Sequence, residues 1–419
     1  ITFRATTPSG ENWLSVDPVT GVVSEVAVPI NVRITRDNLS PGNYTGEIVD
    51  LLRARDYHLV VGDVSVRLAK EFGFCYGVER AVEYAYQTRH KFPGRRVVLV
   101  GEIIHNPHVN VRLREMGIEI LMPGEGGFDY SGIKADDVVI LPAFGVTITD
   151  FNTLRERGCV VVDTTCGSVL NVWKRVEAYA RDGFTSLIHG KHYHEETRAT
   201  ASQVEKFPGG TYLVVRNMDE AKEVCAYIEG RGDRAAFLAK FAKSASAHFD
   251  PDLHLARIGV ANQTTMLARE SLAIGEEVGR TMAALKGEEY RAANFRTFDT
   301  ICSATQDRQD AVNALLQEPL DVMIVVGGYN TSNTLSLAAL CAERVRTFHV
   351  EDALCIDPER GTIFARDPLT GLGSETAGWL GSGTVRVGLT AGASTPNNKI
   401  GDTVARVFAT RGIDPATIR

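Results

Sequence analysis

VSVRLAKEFGFCYGVERAVEYAY, residues 64–86, reads as an apolar strand, a short polar loop and an amphipathic helix, with Cys75 at the turn. The same order recurs in GCVVVDTTCGSVLNVWKRVEAYA, residues 158–180, around Cys166, and in FRTFDTICSATQDRQDAVNALL, residues 295–316, around Cys302. In each copy a strand ends before the cysteine and a helix begins after it. Glu79 and Arg80, Lys174 and Arg175, or Asp307 and Arg308 follow on the next turns. Strands alternating with helices build doubly wound parallel sheets, so the fold class is α/β.

Outward from these turns, each copy is followed by two further strands that end in polar loops. After Cys75 come VVLVGEIIHNPHVNVRLREMG, with His105 and Asn106, and VVILPAFGVTI, with Phe144. After Cys166 come SLIHGKHYHEETRATAS, with His194 and Glu196, and RIGVANQTTMLARESL, with Gln263 and Thr264. After Cys302 come DVMIVVGGYNTSNTLSLAAL, with Thr331, Ser332 and Asn333, and VRVGLTAGASTP, with Ser394. This predicts three similar α/β domains, at 44–165, 166–300 and 301–419. Ligands of open α/β sheets bind at the carboxyl ends of the strands, so loops facing a common centre would line one pocket. Residues 1–43, with NWLSVDPVTG and VAVPINVRITRD, read as a short β-rich leader with no assigned role.

At 419 residues and 44% hydrophobic the chain exceeds one compact core, in keeping with several domains. No run approaches the roughly 18 apolar residues that span a bilayer, and the start at Ile1 has neither a basic nor an apolar signal region. The expectation is a cytoplasmic protein without membrane association, or one of the plastid stroma if the source is a photosynthetic eukaryote. A net charge of -7 argues against a nucleic-acid partner. Seven scattered cysteines, an odd count, suit a reducing compartment with a few functional thiols better than a disulfide framework.

Three cysteines in one repeated context can ligate one metal centre. With three thiolates on a 4Fe-4S cube, one iron stays open to substrate. Cys159, Cys225, Cys341 and Cys355 lack that context and read as small buried hydrophobes. HGKHYHEETRAT invites a zinc reading, but no histidine follows His194 at the zincin interval. Ligation by several of its histidines remains the lesser alternative. The preferred reading places His194 on an anion and makes Glu196 a proton donor, with Glu195 a solvated first-turn residue. GGYNTSNTLSL and LTAGASTPNN offer glycines, hydroxyls and a helix start, a phosphate site that is not a Walker loop.

The motifs EFGFCYGVERAV, GEIIHNPHVN, DTTCGSV, HGKHYHEET, NQTTM, DTICSATQDRQDAV, VVGGYNTSNT and TAGASTP occur in this order. Together they resemble the 4-hydroxy-3-methylbut-2-enyl diphosphate reductases, the LytB or IspH family, from about residue 44 to the C-terminus. The resemblance implies a trefoil of three α/β domains around one 4Fe-4S cluster held by Cys75, Cys166 and Cys302. It further implies diphosphate contacts from His105, His194, Thr331, Ser332, Asn333 and Ser394, with Glu196 and Thr264 delivering protons. The implied reaction is reductive dehydroxylation to isopentenyl and dimethylallyl diphosphate, with electrons from ferredoxin or flavodoxin. A basic docking patch including Lys174, Arg175 or Arg308 would receive that acidic carrier. Phe144 stands where short bacterial members carry a histidine. That residue, with the long spacer between Glu196 and Gln263, resembles the plant and cyanobacterial type. The competing readings are an electron-independent three-cysteine cluster enzyme and a non-catalytic iron-sulfur sensor.

Overall fold

The computed structural model describes residues 2–7, 10–16, 23–26, 47–298 and 300–414. It divides into two units, Ile1–Tyr44 and Thr45–Arg419. In the first, strands Thr2–Thr7, Gly10–Val16 and Val23–Val26 form an antiparallel sheet. The expected end of the leader at residue 43 lies outside the described residues.

The second unit holds three sheets with α-helices between their strands. The first sheet runs Ile118–Leu121, Val97–Val100, Val138–Leu141, Val160–Asp163, all parallel. The second runs Tyr212–Val215, Thr185–His189, Ile258–Asn262, Phe295–Thr297, again all parallel. Both have the chain order second, first, third, fourth. In the third sheet Thr347–Val350, Val322–Val326 and Val385–Ala391 repeat the first three places. The fourth place is taken by Val64–Leu68, which arrives from the other end of the chain and pairs parallel with Val385–Ala391. This strand, and His58–Val61 antiparallel to it, fall within the expected first domain at 44–165 but pair in the third sheet. Sequence proximity favours the first domain, whereas the backbone hydrogen bonds join the third. Arg411 fixes the closure with an ion pair to Asp63 at 2.6 Å.

Every residue of the central strands Val97–Val100, Val138–Leu141, Thr185–His189, Ile258–Asn262 and Val322–Val326 is buried. This is why they read as unbroken apolar runs, since parallel sheets are covered on both faces. The largest core joins Val64, Val66, Val322, Ile324, Val387 and Leu389 to Ile400, Val404 and Phe408 of helix Asn397–Ala409. Each such side chain contributes about 1.5–3 kcal/mol by its burial. A hairpin, Thr362–Arg366 with Gly373–Ala377, extends the third sheet beyond Thr347–Val350. Among the described residues no helix is long and apolar enough to cross a membrane.

Candidate active site

Each cysteine of the repeat follows the fourth strand of a sheet and occupies the N-cap of the next helix. The helices are Tyr76–Lys91, Gly167–Arg181 and Ser303–Leu315. All three have extended backbone angles, and none uses its side chain to cap. The same backbone bond places each one. Cys75 donates its N–H to Ala393 O at 3.3 Å, Cys166 to Ala143 O at 3.0 Å and Cys302 to Thr264 O at 3.5 Å. Each acceptor lies two residues beyond the third strand of the same sheet.

The thiols meet between the lobes. A β-carbon on Gly77 would stand 2.4 Å from Cys166 Sγ and 4.0 Å from Cys75 Sγ. Burial pushes the Cys75 thiol up, and the thiols of Cys302 and Cys166 push it further, while the Val78 N–H and the Arg308 guanidinium oppose them. Three soft donors that disfavour one another's charge, at three helix N-termini with partial positive charge, fit an iron-sulfur cluster. Arg308 is buried, donating to Ala304 O and to Gly73 O at 2.7 Å each, so it braces the Cys302 helix against the Cys75 turn. It cannot belong to a docking surface, contrary to the sequence expectation. Cys225 and Cys341 lie in two hydrophobic cores, and Cys159 and Cys355 pack against two others.

Beside the thiols the loops of all three sheets converge on His105. Thr331 and Ser394 donate to its carbonyl oxygen at 3.1 and 3.4 Å. Asn106 Nδ2 donates to Ser394 O at 2.7 Å. Phe144 stacks on the His105 ring at 4.3 Å and meets His194 edge-on at 5.9 Å, giving this wall an apolar face. Ser332 Oγ takes a hydrogen bond from Gln263 Nε2 at 3.3 Å. Asn333 accepts from the Ala393 N–H, while its buried Nδ2 has no partner, an orphan donor that suits an anion.

His105, His194 and Glu195 bring one ligand atom each within 4.8 Å of one another, a grouping able to hold a metal. Without an ion, the two imidazoles differ in charge. Burial works to lower the His105 pKa, but bonds to Glu102 and Glu195 dominate and raise it to about 9, so the ring is cationic at neutral pH. A metal needs a neutral imidazole. His194 is held neutral, lowered to about 4 by burial and by the charge on His105. Its Nδ1 accepts the Glu196 N–H at 3.2 Å, capping the helix that carries both glutamates. Glu195 is not the merely solvated residue that the sequence suggests. Burial opposes its ionisation, yet His105, 3.5 Å away, brings its pKa down to about 2. Glu102 also escaped the sequence reading, although it lies three residues before His105 in the same loop.

Glu196, 2% exposed, is pushed up to about 7 by burial, against hydrogen bonds from the Thr264 amide and hydroxyl. The Thr264 N–H donates to Glu196 Oε1 at 2.6 Å while its carbonyl accepts the Cys302 N–H. One residue thus joins the carboxyl group to the backbone of a cluster-candidate cysteine. Gln263 organises the opposite wall, accepting from the Lys191 N–H and the Thr197 hydroxyl, both at 3.1 Å.

The LytB protein family model matches residues 66–408. The chain is 47% identical to the 4-hydroxy-3-methylbut-2-enyl diphosphate reductase of Thermosynechococcus vestitus, over 89% of this chain and 91% of that one. With the enzyme of that name from Gloeobacter violaceus it shares 47% identity over 88% of each chain. Among solved structures it is similar to an (E)-4-hydroxy-3-methyl-but-2-enyl diphosphate reductase described as the terminal enzyme of the non-mevalonate pathway. That match has a TM-score of 0.50 and 28% identity, covering 82% of this chain and 98% of the other. A Plasmodium falciparum reductase, at TM-score 0.60 and 20% identity over 82% and 87%, shares the fold. With the family model spanning the sheets, the three thiols and the loops around His105, this chain belongs to the LytB protein family.

Proposed function

We propose that the chain reduces (E)-4-hydroxy-3-methylbut-2-enyl diphosphate to isopentenyl and dimethylallyl diphosphate, the last step of the methylerythritol phosphate pathway to isoprenoids. The observation that supports the reading is the Thr264 bridge, whose N–H holds a carboxyl group with a pKa near 7 while its carbonyl accepts the backbone N–H of Cys302. A 4Fe-4S cluster on Cys75, Cys166 and Cys302 would relay the carrier's two electrons one at a time and offer one iron to the substrate hydroxyl. The reaction consumes two electrons and two protons and releases water.

The chain's own residues bind the diphosphate and move protons. His105, cationic at neutral pH, and the hydroxyls of Thr331, Ser332 and Ser394 face the diphosphate, with His194 and the free Asn333 Nδ2 beside them. Glu196, protonated below about pH 7, donates to the departing hydroxyl, and Thr264 holds the carboxyl in place. Burial excludes the water that would otherwise ionise it. Electrons come from ferredoxin or flavodoxin in the cytoplasm. Lys174 and Arg175, both exposed and on the Cys166 helix, are the cations placed to meet such a carrier.

Anaerobic turnover with reduced viologen, alongside iron and sulfide analysis of wild type and Cys302→Ser, tests the reading. Both five-carbon diphosphates should appear, and the variant should lose cluster and activity together. A cluster present with substrate untouched would redirect the assignment to electron-independent chemistry.

A further inference from the structure

Lys191 is the second residue of the loop that follows strand Thr185–His189. Its backbone is pinned to Gln263, and its ammonium approaches Ser332 Oγ at 3.5 Å. Burial lowers its pKa from the ordinary lysine value, and its charge reaches His194 strongly enough to lower that ring as well. Among the described residues it forms no ion pair with a carboxylate. Of the acids at the pocket, Glu102 and Glu195 are engaged by His105 and Glu196 by Thr264. A half-buried ammonium facing hydroxyls without a counter-ion is unfavourable until an anion joins it. Phe144 lines the His105 and His194 rings without offering a donor of its own, so the pocket's positive charge rests on His105 and this lysine.

We infer that Lys191 is a diphosphate-binding residue, its Nζ held beside Ser332 to meet a phosphate oxygen as a mobile point charge. A flexible ammonium suits a group that must first enter the pocket and then be held. The inference rests on the reductase reading for the identity of the anion, and on the geometry for its charge.

Calorimetric titration of inorganic pyrophosphate into the cluster-loaded protein tests it, comparing wild type, Lys191→Met and Lys191→Arg. The methionine variant should bind on the order of 10- to 100-fold more weakly, the loss of one charge-assisted contact. The arginine variant should recover most of the affinity, and the substrate KM should follow the same order. Iron content should equal wild type in all three; if the methionine variant assembles poorly, Lys191→Gln carries the comparison. Equal pyrophosphate affinity in wild type and the charge-removed variant overturns the role of Lys191, whatever substrate is turned over. Discrimination between them without reduction of the substrate would uphold the anion site and sink the reductase reading instead.

Discussion

Adjacent glutamates at the start of one helix titrate far apart, and the difference comes from their surroundings. Glu195 faces a cationic imidazole and is ionised down to about pH 2, whereas Glu196 is enclosed and holds its proton to about pH 7. A general acid works only while protonated, so turnover should be flat below about pH 7 and fall about tenfold per unit above it. A pH profile of kcat checks this, and a rate that climbs through that range would exclude Glu196 as the donor. Glu196→Gln should keep iron and pyrophosphate binding yet lose on the order of 10²–10⁴ in turnover. The sequence singled out Glu196 through its motif but read Glu195 as solvated. Nothing local shows that His105 reaches it from another sheet.

At the scale of elements, one device is used three times: a parallel strand delivers a cysteine to a helix N-cap, and the carbonyl beyond the neighbouring strand takes the cysteine's N–H. Thiolate charge at each helix start is favoured by about 0.3–1 kcal/mol through the helix dipole. The strand, cysteine and helix were plain in the sequence because period and punctuation change abruptly there. Gly77 was not, since its small size serves a sulfur from another lobe. Gly77→Ala should displace Cys166 Sγ and lower iron content while the far-ultraviolet circular dichroism stays that of wild type. Full iron loading in that variant would mean the helix start can shift to make room. At Gly73, with φ +70 and Asn397 Oδ1 at 2.9 Å from any added β-carbon, a side chain would be strained twice over.

For the whole molecule, the leader forms its own unit, Ile1–Tyr44, and the family match begins at residue 66. A chain starting at residue 45 should keep wild-type iron content and a kcat/KM within about twofold; a collapse of either would give the leader a role in the enzyme. Arg175, stacked over Phe298 at 3.9 Å, and Lys174 are the proposed docking cations once Arg308 is found buried. Lys174→Glu with Arg175→Glu should slow reduction by ferredoxin at low salt but not by viologen, and a salt-independent rate would count against that face. The sequence by itself determined the α/β class and the threefold cysteine repeat, because these are written in local periodicity and ordered motifs. Only the tertiary structure decided that strand Val64–Leu68 completes the third sheet, that Arg308 is a brace and that Glu195 serves His105. The same holds for Lys191, whose ammonium faces Ser332. Each of these depends on contacts between residues far apart in the chain, where backbone pairing and burial, and not local pattern, set the partner.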